Sequence, residues 1–141
     1  MTYDDLDTVY EIEKTCYPDP WVLSSFEEAL LNYEALVIYV LKENELIGYF
    51  IGWGLYDEYE IYNVTIKPEY QNKGYGYYFI SSIIKSHNNS FLKYFLEVRK
   101  SNKKALSLYK KIGFKYISER KLYYQNPDED AFVLKYEIGS Y

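Results

Sequence analysis

Apolar positions along the chain recur with two periods, and the changes between them mark out the elements. Leu6, Val9, Tyr10 and Glu13 fall at helical spacing, which predicts a first helix over 4–16. Tyr17-Pro18-Asp19-Pro20-Trp21 then reads as a loop, because two prolines interrupt any regular element. Ser24 or Ser25 is placed to cap a second helix, with Glu27 and Glu28 in its first turn. The pattern becomes β-rich over 35–42, turns at Glu43-Asn44-Glu45, and continues as strands over 46–56 and 60–67, the last ending at Pro68. Residues 74–86 return to helical spacing, with Phe79, Ile80, Ile83 and Ile84 on one face. Residues 91–99 predict a strand, and 102–112 a helix stopped by Gly113. Two final strands, 114–123 and 131–138, are joined through Gln125-Asn126-Pro127-Asp128. The order ααβββαβαββ predicts a mixed sheet flanked by helices, of the α/β (α+β) layer class. No repeat, low-complexity tract or linker divides it, so one domain over 1–141 is expected.

Composition narrows the chemistry. The 141 residues include one cysteine and one histidine. An internal disulfide and a structural zinc site are therefore excluded, and no metal is expected. A Ser-His-Asp site would have to use His87, and no nucleophile motif accompanies it. His87, close to a predicted helix C-terminus, is expected to be a favourable partner of the helix dipole. Cys16 is expected to be a small buried apolar residue. The longest apolar run without a charge is Leu46 to Tyr56, and about 17–25 residues are needed to span a bilayer. The N-terminus is acidic and has no signal-peptide core, so a soluble, cytoplasmic protein without a membrane partner is expected. Twenty tyrosines stand beside a modest aliphatic content, so tyrosine is expected to fill much of the core.

The net charge of −5 hides a segregation. Residues 1–63 carry 14 acids and 2 bases, residues 64–121 carry 13 bases and 3 acids, and residues 122–141 carry 4 acids and 1 base. An acidic half joined to a basic half suggests two partners, one of them anionic; two solvated faces of opposite sign are the alternative. The overall charge argues against dedicated nucleic-acid binding. A homodimer is compatible with the sequence.

The basic half opens on a distinctive segment. The strand at 60–67 runs through Pro68-Glu69-Tyr70 into Gln71-Asn72-Lys73-Gly74-Tyr75-Gly76 and then a helix. Glycines let the backbone approach an anion, the first-turn N–H groups of the helix point at it, and Lys73 adds charge. Turn and cap duties alone would explain one glycine rather than two. A dinucleotide fingerprint would need a third glycine where Phe79 stands, and a P-loop would need a Gly-Lys pair, which the chain lacks.

Asn63 to Gly76 resembles the Q/R-x-x-G-x-G/A acetyl-CoA loop of the GNAT superfamily of N-acetyltransferases. A second stretch, Leu96-Glu97-Val98-Arg99-Lys100-Ser101-Asn102 with Ala105, Leu106, Leu108, Tyr109, Gly113 and Phe114, is similar to another segment of that superfamily. It is close to the branch that acetylates protein N-termini. Tyr123-Tyr124 with Glu129-Asp130-Ala131, and Trp21 after Pro18 and Pro20, resemble further parts of that branch. The family usually opens with a strand before its first helix; here that strand is expected to be short or absent.

The resemblance implies an acetyl-CoA-dependent N-acetyltransferase, most closely one acting on the N-terminal α-amine of a protein or peptide, ribosomal or general. A small-amine or lysine acetyltransferase, and a non-catalytic CoA-binding module, are the alternatives. Gln71, Asn72, Lys73, Gly74, Tyr75 and Gly76 would hold the coenzyme A pyrophosphate. The strand through Val64 and Ile66 would pair with the pantetheine arm, and backbone N–H groups there are candidates for an oxyanion site. Asn102 would cap its helix and contact the same arm, although capping alone explains it. Glu97 is the first candidate base; its alternative role is a strand carboxylate paired with Lys93 or Arg99. Glu60 is the second candidate and Asp19 the third. Tyr109 is the candidate acid beside the cofactor, since a phenol of pKa about 10 can serve a thiolate near 8.5; a core tyrosine is the alternative. Tyr17, Asp19, Trp21, Tyr62, Tyr123 and Tyr124 would flank the peptide.

Overall fold

The computed structural model describes residues 1–17, 20–31, 36–125 and 127–139. The predicted loop at Pro18 and Asp19, the first position of the 35–42 strand, and Asn126 lie outside these described residues. Helix α1 (Leu6–Cys16) buries Leu6, Val9, Ile12 and Glu13 on one face. It is preceded by a 3-10 turn, Tyr3–Asp5, rather than a strand. Asp5 closes that turn by accepting the Thr2 backbone N–H at 2.9 Å, and Lys42 pairs with it at 3.0 Å. Helix α2 (Leu23–Leu31) starts earlier than the sequence suggested, so Ser24 and Ser25 lie inside its first turn and neither is its cap. Leu23 and Phe26, three residues apart, both pack into the core, and that apolar pairing draws the helix start back past the serines.

The remaining elements are β1 (Val37–Glu43), β2 (Glu45–Leu55), β3 (Glu58–Ile66), α3 (Tyr75–Ser86), β4 (Lys93–Arg99), α4 (Lys103–Ile112), β5 (Lys115–Tyr124) and β6 (Glu129–Glu137). Their order is the predicted ααβββαβαββ. The strands form one six-stranded mixed sheet in the order β1-β2-β3-β4-β6-β5. Strand β3 begins at Glu58, two residues before its expected start, because Tyr56 takes φ +55° and tightens the turn after β2.

Contacts group the chain into two compact units, Met1–Trp53 with Tyr62–Gly76, and Gly54–Ile61 with Tyr77–Tyr141. In the first, β1 and β2 form an antiparallel hairpin from Val37↔Gly52 to Glu43↔Glu45, with Asn44 at φ +66° at its tip. Residues 46–52 of β2 are continuously buried, the pattern of a strand covered on both faces. Val9, Phe26, Tyr49 and Ile51 centre this core, and the Phe26 ring meets Tyr49 edge-on at 6.1 Å.

In the second unit, β3 pairs in parallel with β4 from Glu58↔Lys93 to Ile61↔Leu96. Strand β4 pairs antiparallel with β6 from Lys93↔Glu137 to Arg99↔Ala131, and β6 pairs with β5. Tyr94, Leu96 and Val98 alternate inward on β4, leaving Phe95, Glu97 and Arg99 on the opposite face. Helix α3 buries Phe79, Ile80, Ile83 and Ile84, as its spacing required.

Two expectations need correction. Among the described tyrosines, only Tyr49, Tyr59 and Tyr94 are buried, while seven are exposed. A buried phenol needs a partner for its hydroxyl, and the other eight described tyrosines are only half-buried. His87 is not a charged dipole partner. Its ring stacks on Tyr94 at 5.8 Å, its Nδ1 shares a 2.8 Å hydrogen bond with the Tyr94 hydroxyl, and burial lowers its pKa, favouring the neutral form. Cys16 is half-buried, and burial raises its thiol pKa.

Candidate active site

The expected site residues fall in both units. In the first, β3 ends at Ile66, whose carbonyl accepts a 2.8 Å hydrogen bond from the Gln71 side chain. Gln71 thus ties the strand end to the loop that follows. Asn72 at φ +63° and Gly74 at φ +88° both occupy the left-handed region, so the loop turns twice before α3 begins at Tyr75. A Cβ on Gly74 would meet nothing within 4 Å, so this glycine is required by its backbone angle and its Cα faces open space. Lys73 lies 5.8 Å from the Tyr70 ring centre, and Tyr70 meets Tyr75 edge-on at 5.9 Å. Residues 71–74 are exposed. An exposed loop with two left-handed residues, a helix start and a lysine fit the diphosphate of coenzyme A. Val64 and Ile66 on β3 are half-buried, and Thr65 between them is buried.

The same unit holds a polar network that the sequence reading did not assign. Glu13 is 3% exposed in the middle of the α1 apolar stripe. Its carboxylate accepts hydrogen bonds from the Tyr49 hydroxyl, from Asn63 Nδ2 at 3.1 Å and from the Trp21 backbone N–H at 3.3 Å. Asn63 Oδ1 in turn accepts from the Tyr17 hydroxyl at 2.8 Å and from Thr65 Oγ1 at 2.7 Å. Two expected peptide-side residues, Tyr17 and Trp21, are thereby held by Glu13 and Asn63. An acid placed in a helical stripe of Leu6, Val9 and Ile12 was the available signal.

In the second unit, Glu97 is half-buried and its Oε1 accepts a 3.0 Å hydrogen bond from Arg120. The cation beside it is therefore neither of the expected Lys93 and Arg99. Register puts Glu60 opposite Phe95, so Glu60 and Glu97 project from one face of the sheet. The Arg120 guanidinium also covers the Tyr123 ring at 4.2 Å, and Arg99 covers Tyr124 at 4.5 Å. Arg99 is held by the Gln125 and Pro127 carbonyls, each at 2.8 Å.

The phenols of this group share one electrostatic neighbourhood. Burial raises Tyr123, and the carboxylates of Glu97 and Glu60 add to the rise while Arg120 opposes it. Burial raises Tyr124, with further contributions from Tyr123, Glu97 and Tyr109. Tyr109, on α4, is pushed up to about 12 by burial. Its ring meets Phe114 at 5.7 Å, and its carbonyl accepts the Gly113 and Phe114 N–H groups that end the helix. Asn102 caps α4, its Oδ1 accepting the Ala105 N–H at 3.1 Å. Thus Glu97, Tyr109, Tyr123 and Tyr124 come together, with Glu60 on the same face as Glu97. Tyr17, Trp21, Tyr62, Val64, Ile66 and residues 71–76 belong to the first unit. Asp19 lies outside the described residues. Arg120, which pairs with Glu97, had no role assigned from the sequence, and Asp130, which accepts the Leu122 N–H, entered only through the resemblance.

Among the described residues, no three His, Cys, Asp or Glu side chains are grouped to hold a metal ion. Among them, too, no helix is long and apolar enough to cross a membrane.

Comparison with known proteins gives the chain a family. The acetyltransferase (GNAT) family model matches residues 6–114. A Bacillus subtilis protein provisionally named ribosomal protein bS18-alanine N-acetyltransferase is 38% identical, covering 95% of this chain and 90% of its own. The Haemophilus influenzae ribosomal protein bS18-alanine N-acetyltransferase is 33% identical, over 92% and 90% of the two chains. The crystal structure of the ribosomal-protein-S18-alanine N-acetyltransferase from Escherichia coli superposes with a TM-score of 0.88 at 27% identity, covering 100% of this chain and 92% of that one. With a family match across most of its length and relatives above 30% identity over nearly all of it, this chain belongs to the GNAT acetyltransferase family.

Proposed function

We propose that the protein transfers the acetyl group of acetyl-CoA to the N-terminal α-amine of a protein, with a ribosomal protein beginning in alanine as its substrate class. The observation that carries this reading is the grouping of Glu97, Tyr109 and the Tyr123–Tyr124 pair, in a chain similar over nearly its whole length to bS18-alanine N-acetyltransferases. The family match runs through both compact units, which supports reading them as one catalytic domain. A ribosomal-protein substrate puts the reaction in the cytoplasm.

Acetyl-CoA supplies an activated acyl group; the chain supplies position and proton traffic. Asn72 to Gly76 bind the diphosphate through amides and Lys73, while Gln71, whose N–H is donated to the Pro68 carbonyl and whose side chain is bonded to the Ile66 carbonyl, holds the loop. Backbone at Val64 and Ile66 binds the pantetheine arm, Asn102 adds a contact, and N–H groups near Val64–Ile66 stabilise the oxyanion. Glu97 takes the proton from the attacking amine, directly or through one water, with Glu60 as second base. An α-amine of pKa about 7.7–8.0 is easier to deprotonate than lysine at about 10.4, a difference of roughly 3.4 kcal/mol. A carboxylate suffices for the first substrate and is poorly matched to the second.

Tyr109 is a hydrogen-bond donor to the departing sulfur. With its phenol pushed up to about 12 it stays protonated at any working pH. Full transfer to a thiolate near 8.5 is uphill by roughly 4.8 kcal/mol, so the proton moves only as charge develops on sulfur. Tyr17, Trp21, Tyr62, Tyr123 and Tyr124 offer rigid rings with polar tips to the first residues of the peptide.

The test is thiol release from acetyl-CoA with paired peptides, one with a free N-terminus and one with that amine blocked, at constant lysine content. Release only with the free peptide supports the reading. Equal release with both peptides shifts it to lysine, and no release with any amine alongside tight CoA binding shifts it to a non-catalytic binder.

A further inference from the structure

We propose that Glu13 is a positioning residue for the acceptor peptide, whose buried carboxylate holds the Trp21 backbone directly and Tyr17 through Asn63. The inference rests on the N-terminal acetyltransferase reading for the role of Tyr17 and Trp21, and on the geometry of the network for the rest.

A carboxylate at 3% exposure is costly to place in a core, and the stripe of Leu6, Val9 and Ile12 around it would accept an apolar residue. Neutral donors offset that cost: the Tyr49 hydroxyl from β2, Asn63 Nδ2 from β3 and the Trp21 N–H from the loop. They come from three parts of the chain, so one side chain on α1 fixes the relation of all three. The bond to Trp21 is made to its backbone and therefore fixes the chain just before α2 whatever side chain stands there.

The bond to Asn63 has a directional consequence. With its amide nitrogen turned to Glu13, Asn63 presents Oδ1 to the other side, where it accepts the Tyr17 hydroxyl at 2.8 Å and Thr65 Oγ1 at 2.7 Å. The Tyr17 hydroxyl and Thr65 Oγ1 are themselves 2.7 Å apart. A glutamine at position 13 keeps the shape but turns an NH2 group towards donors, so part of the network loses its acceptor. An acid-only acceptor is what this arrangement needs, which gives Glu13 a purpose beyond packing.

The test uses the intrinsic fluorescence of Trp21. The chain has two tryptophans, so a Trp53→Phe background leaves Trp21 as the single emitter. In that background, Glu13→Gln should raise acrylamide quenching of Trp21 about two-fold, and raise peptide KM about ten-fold, while the Kd for CoA stays within about two-fold. A merely structural Glu13 would move the CoA Kd and the peptide KM together. Unchanged Trp21 quenching, or CoA Kd rising in step with peptide KM, overturns the proposal. If the unmutated protein acetylates no free N-terminus, the functional reading fails, and Trp21 quenching against CoA Kd decides this proposal alone. If Glu13→Gln does not fold, Asn63→Ser replaces it: raised peptide KM at constant CoA Kd supports the role, and an unchanged KM overturns it.

Discussion

The rings of Tyr123 and Tyr124 meet edge to face at 5.0 Å, although consecutive residues of a regular strand point to opposite faces. The cause lies one residue earlier. Leu122 takes φ +49°, an unusual angle for leucine, and the pairing of β5 with β6 slips between Arg120 and Tyr124. Asp130 on β6 accepts the Leu122 N–H at 2.9 Å and pairs with Lys121 at 3.2 Å. One bulge therefore aims two phenols together, and Arg120 and Arg99 cover one ring each.

Asp130→Ala removes the acceptor that holds the bulge. Peptide KM should rise while the CoA Kd stays constant, because the change reaches Tyr123 and Tyr124 and leaves the 71–76 loop alone. Steady-state kinetics beside calorimetric CoA titration checks this. Parallel loss of both affinities would show that Asp130 supports the whole unit rather than the tyrosine pair.

Glu97→Gln should lower kcat by about 10²-fold or more, the scale of a lost general base. The loss should be greatest at low pH, where a larger share of the amine begins protonated. A variant with unimpaired kcat from pH 6 to 9 would transfer the role to Glu60 or Asp19.

Tyr109→Phe should slow turnover by roughly 10–100-fold with CoA binding largely intact. Because burial pushes this phenol up to about 12, the unmutated enzyme should show no loss of rate from Tyr109 ionisation below about pH 11. Weaker CoA binding without a change in kcat would contradict the donor role.

Gly74→Ala tests the loop. Nothing lies near the new methyl group, so the cost is that of a left-handed angle, about 1 kcal/mol, or roughly five-fold in CoA affinity. Isothermal titration with CoA measures it. An unchanged Kd would mean that the φ +88° conformation is not the one that binds.

Glu129 predicts an acid-side stability loss. Hydrogen bonds from the Ser101 hydroxyl and backbone N–H, with a smaller contribution from Arg99, lower its pKa below the usual glutamate value. A depressed folded pKa stabilises above the unfolded value near 4.3, and that stability is lost as pH falls through the folded pKa. Glu129→Gln should therefore lower Tm at pH 7 and narrow the Tm difference between pH 7 and pH 3. An identical difference in the variant would contradict it.

Much of this was legible in the sequence. Strand and helix periodicities gave the element order, and the Gln71–Gly76 spacing marked the loop that the structure builds with two left-handed residues. The start of α2 was hidden because Ser24 and Ser25 look like caps, whereas Leu23 and Phe26 both pack into the core. Glu13 was visible as an acid in an apolar stripe, but Tyr49 and Asn63 lie 36 and 50 residues away, so its purpose was not. The Tyr123–Tyr124 pairing was equally hidden, since the bulge uses a leucine where a glycine would have announced it.

Where the acetyl group lands decides whether the acceptor is an N-terminal α-amine. The protein is incubated with acetyl-CoA and a peptide that begins with alanine and carries an internal lysine, and tandem mass spectrometry locates the added acetyl group. Acetylation is expected on the alanine nitrogen with the lysine unmodified; acetyl on the lysine with the N-terminus free would rule out an N-terminal acceptor.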